Sequence, residues 1–139
     1  MTVRESMRVD DLNPNEAYQL LKDHPEAQLV DVRRPDERAD IGAPSLDGLG
    51  RPVLHAVWPQ TQDRTPQDFA DELEQKLQSQ GAGRDTPLLF ICRSGARSRA
   101  AGETMSARGW TRVINVAGGF SGRPDLKGWA DEGLPIQKI

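Results

Sequence analysis

The chain has 139 residues, 36% of them hydrophobic and 28% charged, and a net charge of −3. That size suits one domain around a single core, the negative charge excludes a general nucleic-acid binder, and no apolar run approaches the ~20 residues of a membrane span. One cysteine rules out an internal disulfide, two histidines give no basis for a structural zinc site, and the opening MTVRESMRVD lacks the apolar segment of a secretory signal, so a cytoplasmic location is expected.

Taken in chain order, SMRV (6–9) is a candidate edge strand. NPNEAYQLLKD (13–23) then opens with Asn13 as a helix cap, Pro14 in the first turn and Glu16 at the capping-box position. QLVDV (28–32) and PVLHAVW (52–58) read as strands, and the glycine-rich DIGAPSLDGLGRP (40–52) between them reads as a loop. TPQDFADELEQKLQSQ (65–80) is a helix capped by Thr65, with Phe69, Leu73 and Leu77 on one face and Gly81 just past its end. PLLFI (87–91) is continuously apolar, as a strand covered on both faces must be. SRAAGETMSAR (98–108) is helical by its Ala100, Ala101, Met105 and Ala107, and RVINV (112–116) is a final strand. Strands alternating with helices imply an α/β fold with a parallel sheet covered by helices on both faces.

The chemistry concentrates at the lone cysteine. Residues 84–112 carry six arginines (84, 93, 97, 99, 108 and 112) against Asp85 and Glu103, a local charge of +4 that leaves −7 for the rest of the chain. A small basic site on an acidic body suits a small anion better than a polyanion. Cys92 ends the PLLFI strand and is followed by RSGA (93–96), where Gly95 allows the backbone to curl with its N–H groups inward ahead of a helix. Such a loop is an anion cradle, and its donors, the helix dipole and the guanidinium groups favour a thiolate over a thiol. A buried inert cysteine is the plainer alternative, but flanking arginines do nothing for one.

CRSGARS (92–98), with DVRRPDE (31–37) upstream and VAGGFSG and GWADEGLP downstream, resembles the single-domain rhodaneses. The resemblance covers about residues 7–136 and implies a five-stranded parallel sheet flanked by helices within one domain, 1–139. It implies a sulfurtransferase in which Cys92 is the nucleophile and carries sulfur as a persulfide, without metal or cofactor. The donor would be a small anion such as thiosulfate, and the acceptor cyanide, a thiol or a protein, with no nucleic acid and no membrane involved. The backbone of Arg93, Ser94, Gly95, Ala96 and Arg97 would hold the outer sulfur. Arg97 would contact the donor's anionic oxygens, and Arg93 would face solvent and steer. Asp31 and Arg33 resemble the family's Asp-Val-Arg, either as support for the pocket wall or as a strand-end salt bridge. DIGAPSLDGLG departs from the family's Gly-His-Ile-Pro-Gly-Ala pattern, which leaves the wall beside the pocket open.

Two other functions compete. Cysteine phosphatases and arsenate reductases use a similar cradle with Cys-x5-Arg spacing, whereas Cys92 to Arg97 is Cys-x4-Arg. A non-catalytic regulatory module on the same fold is the other. His24, at a helix end, and His55, in a strand, read as structural, and Trp58, Trp110 and Trp129 as core or rim packing. Gly118–Gly119 reads as a turn between strand and helix, and Arg99 and Arg108 as the solvated face of theirs.

Overall fold

The computed structural model describes residues 8–138. In chain order the elements are β1 (Asp10–Leu12), α1 (Pro14–Asp23), β2 (Gln28–Asp31), α2 (Pro35–Ile41), β3 (Ala43–Pro44), β4 (Leu54–His55), α3 (Pro66–Ser79), β5 (Leu88–Ile91), α4 (Ala96–Ala107), β6 (Val113–Val116) and β7 (Ile136–Gln137). Five strands form one parallel sheet in the order β1-β6-β5-β2-β4, which puts β5 in the middle, and β3 and β7 pair antiparallel beside it.

The helices start where their caps dictate. The Asn13 side chain accepts from the Glu16 N–H at 2.8 Å, and the Asn13 N–H donates to the Glu16 carboxylate at 3.0 Å. Thr65 and Asp68 repeat the reciprocal arrangement at the head of α3. Each box satisfies two backbone donors that helix geometry leaves without partners.

Alternation along the strands divides the core into two layers. Val30, Leu88 and Phe90 join Phe69, Leu73 and Leu77 of α3 and Ala101 and Met105 of α4 on one face. Leu29, Leu89 and Ile91 join Ala17 and Leu21 of α1, together with Leu46, Phe120 and Trp129, on the other. All four residues of β5 are buried, so the central strand is covered on both sides. Trp58 packs edge-on against Phe69, Tyr18 packs edge-on against Trp129, and the Trp110 and Trp129 indole N–H groups donate to Glu74 and to the Pro135 carbonyl. All three tryptophans serve packing.

Several expectations need adjustment. Met7 and Ser6 of the expected edge strand lie outside the described residues, and the strand that forms runs Asp10–Leu12, beyond Arg8 and Val9. Residues 52–58 keep strand geometry only at Leu54–His55, although Ala56 and Trp58 still donate to Asp31 and Val32 carbonyls. The 40–52 segment is more ordered than a loop. It holds β3 and a 3-10 turn at Asp47–Leu49, because Ala43, Pro44, Ser45 and Leu46 are buried and β3 has a partner in β7. Helix α2 had no apolar periodicity to announce it, since none of its residues is buried. Gly118–Gly119 does form a turn, but turns rather than a helix follow it. Among the described residues no helix is long and apolar enough to cross a membrane.

Candidate active site

Cys92 stands at the carboxyl end of the central strand, where parallel sheets place their ligands. It is 1% exposed, so the thiol lies at the bottom of its loop rather than on the surface. Arg93 and Ser94 lead to Gly95, which caps α4 at φ +114°, a conformation that L side chains rarely adopt. That turn brings the Gly95 N–H to 3.1 Å from Sγ. The Ser98 hydroxyl, in the first turn of α4, lies 3.2 Å from the same sulfur. The N–H groups of Ala96, Arg97 and Ser98 belong to the helix N-terminus, whose free donors and dipole favour negative charge on the loop.

The loop is held from behind by GGF (118–120). Phe120 N–H donates to the Cys92 carbonyl at 2.8 Å and Ser121 N–H to the Arg93 carbonyl at 2.9 Å. Gly119, at φ +62°, sits so close that a Cβ would lie 2.6 Å from the carbonyl oxygens of both Cys92 and Arg93. Trp129 and Ala130 N–H groups in turn donate to Gly119 and Phe120 carbonyls, tying the brace to the buried Trp129. A glycine pair at 118–119 is visible in the sequence as a turn; its close approach to the Cys92 backbone is not.

The opposite flank is ionic. Asp31 and Arg33 form a fully buried salt bridge, with Nη2 2.7 Å from Oδ2 and both side chains 0% exposed. Arg33 Nη2 also donates to the Gly42 carbonyl, and its guanidinium carbon lies 4.5 Å from the centre of the Phe120 ring. The pair therefore ties the end of β2 to the 42–46 segment and to the GGF brace. Of the two roles expected for Asp31 and Arg33, the strand-end salt bridge is the one these contacts describe.

Arg97 is engaged by a partner that sequence reasoning missed. Both of its terminal nitrogens donate to Glu37 of α2, at 2.7 and 2.8 Å. The Arg97 guanidinium holds the Glu37 carboxyl down at about 2, against an ordinary 4.5, and Glu37 raises the pKa of Arg97. Glu37 also accepts from the Arg34 N–H at the start of α2. The signal was the last letter of DVRRPDE, an acid three residues into a helix that opens with proline.

The local excess of arginine is largely balanced in space. Arg99 pairs with Asp11, Arg108 with Asp71 and Glu74, and Arg84 with Glu74 while stacking on Trp110. Arg99 and Arg108 are thus helix-surface ion pairs. Arg93, in the loop itself, is exposed and has no ion pair among the described residues. His55 has its pKa lowered by burial and by Arg38, and its Nδ1 has no partner among the described residues. His24 ends α1 beside Glu26, well away from the cysteine in the fold.

A buried cysteine at the end of the middle strand, cupped by a short loop ahead of a helix, matches a known family pattern. Residues 13–122 match the model of the rhodanese-like domain. The chain belongs to the rhodanese-like family. It is 32% identical over 128 residues to a protein of Allochromatium vinosum named sulfurtransferase, covering 92% of this chain and 94% of that protein. The crystal structure of Rv0390 from M. tuberculosis superposes with a TM-score of 0.80 at 35% identity, covering 94% of this chain and 98% of that one. The solution structure of a polysulfide-sulfur transferase homodimer from Wolinella succinogenes superposes with a TM-score of 0.68 at 28% identity, covering 99% and 85%. This rhodanese-like protein therefore has the α/β fold with a five-stranded parallel sheet that its sequence implied, and relatives that move sulfur.

Proposed function

We propose that this rhodanese-like protein is a sulfurtransferase that carries sulfane sulfur as a persulfide on Cys92. The observation that carries the reading is the setting of Sγ: a buried sulfur within 3.1 Å of a backbone donor, at the head of a helix, in a Cys-x4-Arg loop. The Cys92 thiolate attacks the outer sulfur of thiosulfate, the S–S bond of the donor breaks, and sulfite leaves with the electron pair of that bond. Charge is conserved, because thiolate and thiosulfate become persulfide anion and sulfite. An acceptor thiolate or cyanide then attacks the outer sulfur and returns Cys92 as the thiolate.

Each part of the pocket has a role in that sequence. The backbone N–H groups of Arg93, Ser94, Gly95, Ala96 and Arg97 stabilise the outer persulfide sulfur, as preorganised donors do for developing anions. Arg93 draws the anionic donor to the loop mouth, and Arg97, fixed by Glu37, holds the rim. Asp31 and Arg33 keep the wall in place. A six-residue loop suits a persulfide, whereas a phosphoryl group needs donors for three equatorial oxygens and in-line access. A second reading changes only the donor. With both terminal nitrogens of Arg97 engaged by Glu37, a donor without sulfonate oxygens, such as a polysulfide, loses less than thiosulfate does.

Intact mass spectrometry after incubation with thiosulfate, or separately with polysulfide, tests both. The expected result is a gain of one sulfur atom that cyanide removes and that Cys92→Ser abolishes. No gain with either donor, together with Cys92-dependent hydrolysis of an aryl phosphate, overturns the sulfurtransferase reading in favour of a phosphatase.

A further inference from the structure

A chain of polar side chains runs from the buried sulfur to the surface, on the side of the loop away from Glu37. Cys92 Sγ lies 3.2 Å from Ser98 Oγ, Ser98 Oγ lies 2.6 Å from Asn115 Oδ1, and Asn115 Nδ2 donates to Asp11 Oδ1 at 3.0 Å. Ser98 is 0% exposed and Asn115 4% exposed, whereas the Asp11 side chain is 53% exposed and is held by Arg99 of α4 at 3.1 Å. Asp11, Asn115 and Arg99, with Gly95 and Gly118, line a cavity of about 290 Å³ beside the loop.

The direction of these hydrogen bonds is set from the surface end. A carboxylate can only accept, so Asp11 must face the amide nitrogen of Asn115. The Asn115 oxygen then faces Ser98, and an amide oxygen can only accept as well. The single hydroxyl hydrogen of Ser98 is thereby committed to Asn115, across the shorter of its two contacts. What Ser98 offers Cys92 is a lone pair, which suits an S–H donor and not a thiolate. An amide does not readily pass a proton, so the chain orients groups and does not conduct.

We propose that Asn115, its orientation fixed by Asp11, is a positioning residue that keeps the Ser98 hydroxyl hydrogen turned away from Cys92 and so holds the resting sulfur as a thiol. For Ser98 to join the Gly95 N–H as a donor to the thiolate, that hydrogen must swing from Asn115 to the sulfur. The cost is an unpaired, buried Asn115 oxygen. The charged groups on the elements that frame Cys92 include Arg93 in the loop, Arg97 and Arg99 in α4, Asp31 and Arg33 at the end of β2, and Glu37 in α2. Changing Asn115 removes none of them, and changing Asp11 removes only the partner of Arg99. The inference rests on Cys92 being the nucleophile of the proposed function, but its readout needs no sulfur donor and fails separately from it.

The test is the pH dependence of iodoacetamide alkylation of Cys92 in the full chain. Asn115→Ala should lower the midpoint by about one pH unit, giving roughly tenfold faster alkylation below both midpoints. Adding Ser98→Ala to that variant should return the midpoint toward the parent value, because the gain comes from the released hydroxyl. Asp11→Ala, a surface change that leaves the core intact, should lower the midpoint by letting the amide turn over. Asp11→Asn removes the same charge and ion pair yet keeps a carbonyl acceptor, and should match the parent. An unchanged or raised midpoint in Asn115→Ala, or equal shifts in Asp11→Ala and Asp11→Asn, overturns the proposal, the latter because charge rather than orientation then accounts for the effect.

Discussion

The two flanks of Cys92 are built from different materials. On the β6 side the loop is held by backbone hydrogen bonds and by the neutral contacts of Ser98 and Asn115, at glycines that permit very close approach. On the β2 side it is bordered by two ion pairs, Asp31–Arg33 buried and Glu37–Arg97 half-buried. Neutral backbone bonds fix where the sulfur sits and are indifferent to pH and salt. Ion pairs set the local field, and they respond to both. The division predicts that damage to the backbone contacts of the first flank removes geometry, while damage to the second flank, or to the Ser98–Asn115 pair, retunes the charge at the sulfur.

The largest effect should come from Gly119→Ala. The added Cβ meets backbone atoms of Cys92 and Arg93 at 2.6 Å, which no rotamer change can relieve, at a φ of +62°. Strain and overpacking together cost on the order of 4 kcal/mol. Thermal denaturation should show a large drop in Tm, and any folded fraction should form persulfide at less than a hundredth of the parent rate. Gly95→Ala sharpens the contrast. Its Cβ finds nothing nearer than 3.6 Å, so the cost there is the backbone conformation alone, about 1–2 kcal/mol. Equal losses in the two variants would show that crowding at the brace is unimportant.

Asp31→Asn comes next. It leaves the Arg33 guanidinium buried without a counter-charge, which costs about 3 kcal/mol when one partner of a buried pair is removed. Because Arg33 also bonds the Gly42 carbonyl and lies against Phe120, the loss should spread to the pocket frame. The check is chemical denaturation with paired kinetics: stability should fall with the m-value unchanged, and the donor KM should rise more than kcat falls.

How much of this could be read from the sequence depends on distance along the chain. The Asn13 and Thr65 caps, the uniformly buried β5 and the helix after Cys92 are local patterns, and each appears within two residues of its expected place. The parallel character of the main sheet follows from strands alternating with helices, which is again a short-range signal. The components that tune the site pair residues far apart: Glu37 with Arg97, Asn115 with Asp11, and β3 with β7. Single residues such as Glu37 and Asp11 read as ordinary surface acids until the fold brings them to their partners. The excess of arginine around Cys92 was read as a basic site for the same reason, since its neutralising acids lie in other segments.

Glu37→Gln should have a moderate effect with a distinctive pH profile. The folded carboxyl titrates at about 2 against 4.5 when free, so the pair contributes stability that is fully present above pH 4.5 and is lost as pH falls toward 2. That contribution is on the order of 2 kcal/mol after allowance for the partial exposure of the pair. The Tm gap between parent and variant should be constant above pH 5 and close by about pH 2. Release of Arg97 should also lower KM for thiosulfate while leaving KM for polysulfide nearly unchanged. A gap that persists at pH 2 would place the effect in packing and not in the ion pair.

The smallest effect belongs to Arg93→Ala. This side chain is exposed and has no ion pair among the described residues, so its removal should leave the unfolding free energy within about 0.5 kcal/mol of the parent's. Its influence on a donor dianion is long-range attraction through water, which acts on encounter and not on the bond-making step. Persulfide formation from thiosulfate should slow by about two- to fivefold in kcat/KM at low ionic strength, with kcat unchanged. The difference should fade as salt shortens the Debye length from about 30 Å at 0.01 M to about 8 Å at 0.15 M. Single-turnover rates at two salt concentrations decide it. A salt-independent loss, or a fall in kcat, would mean that Arg93 touches the donor in the transition state and belongs with Gly95 among the groups that shape the sulfur's geometry.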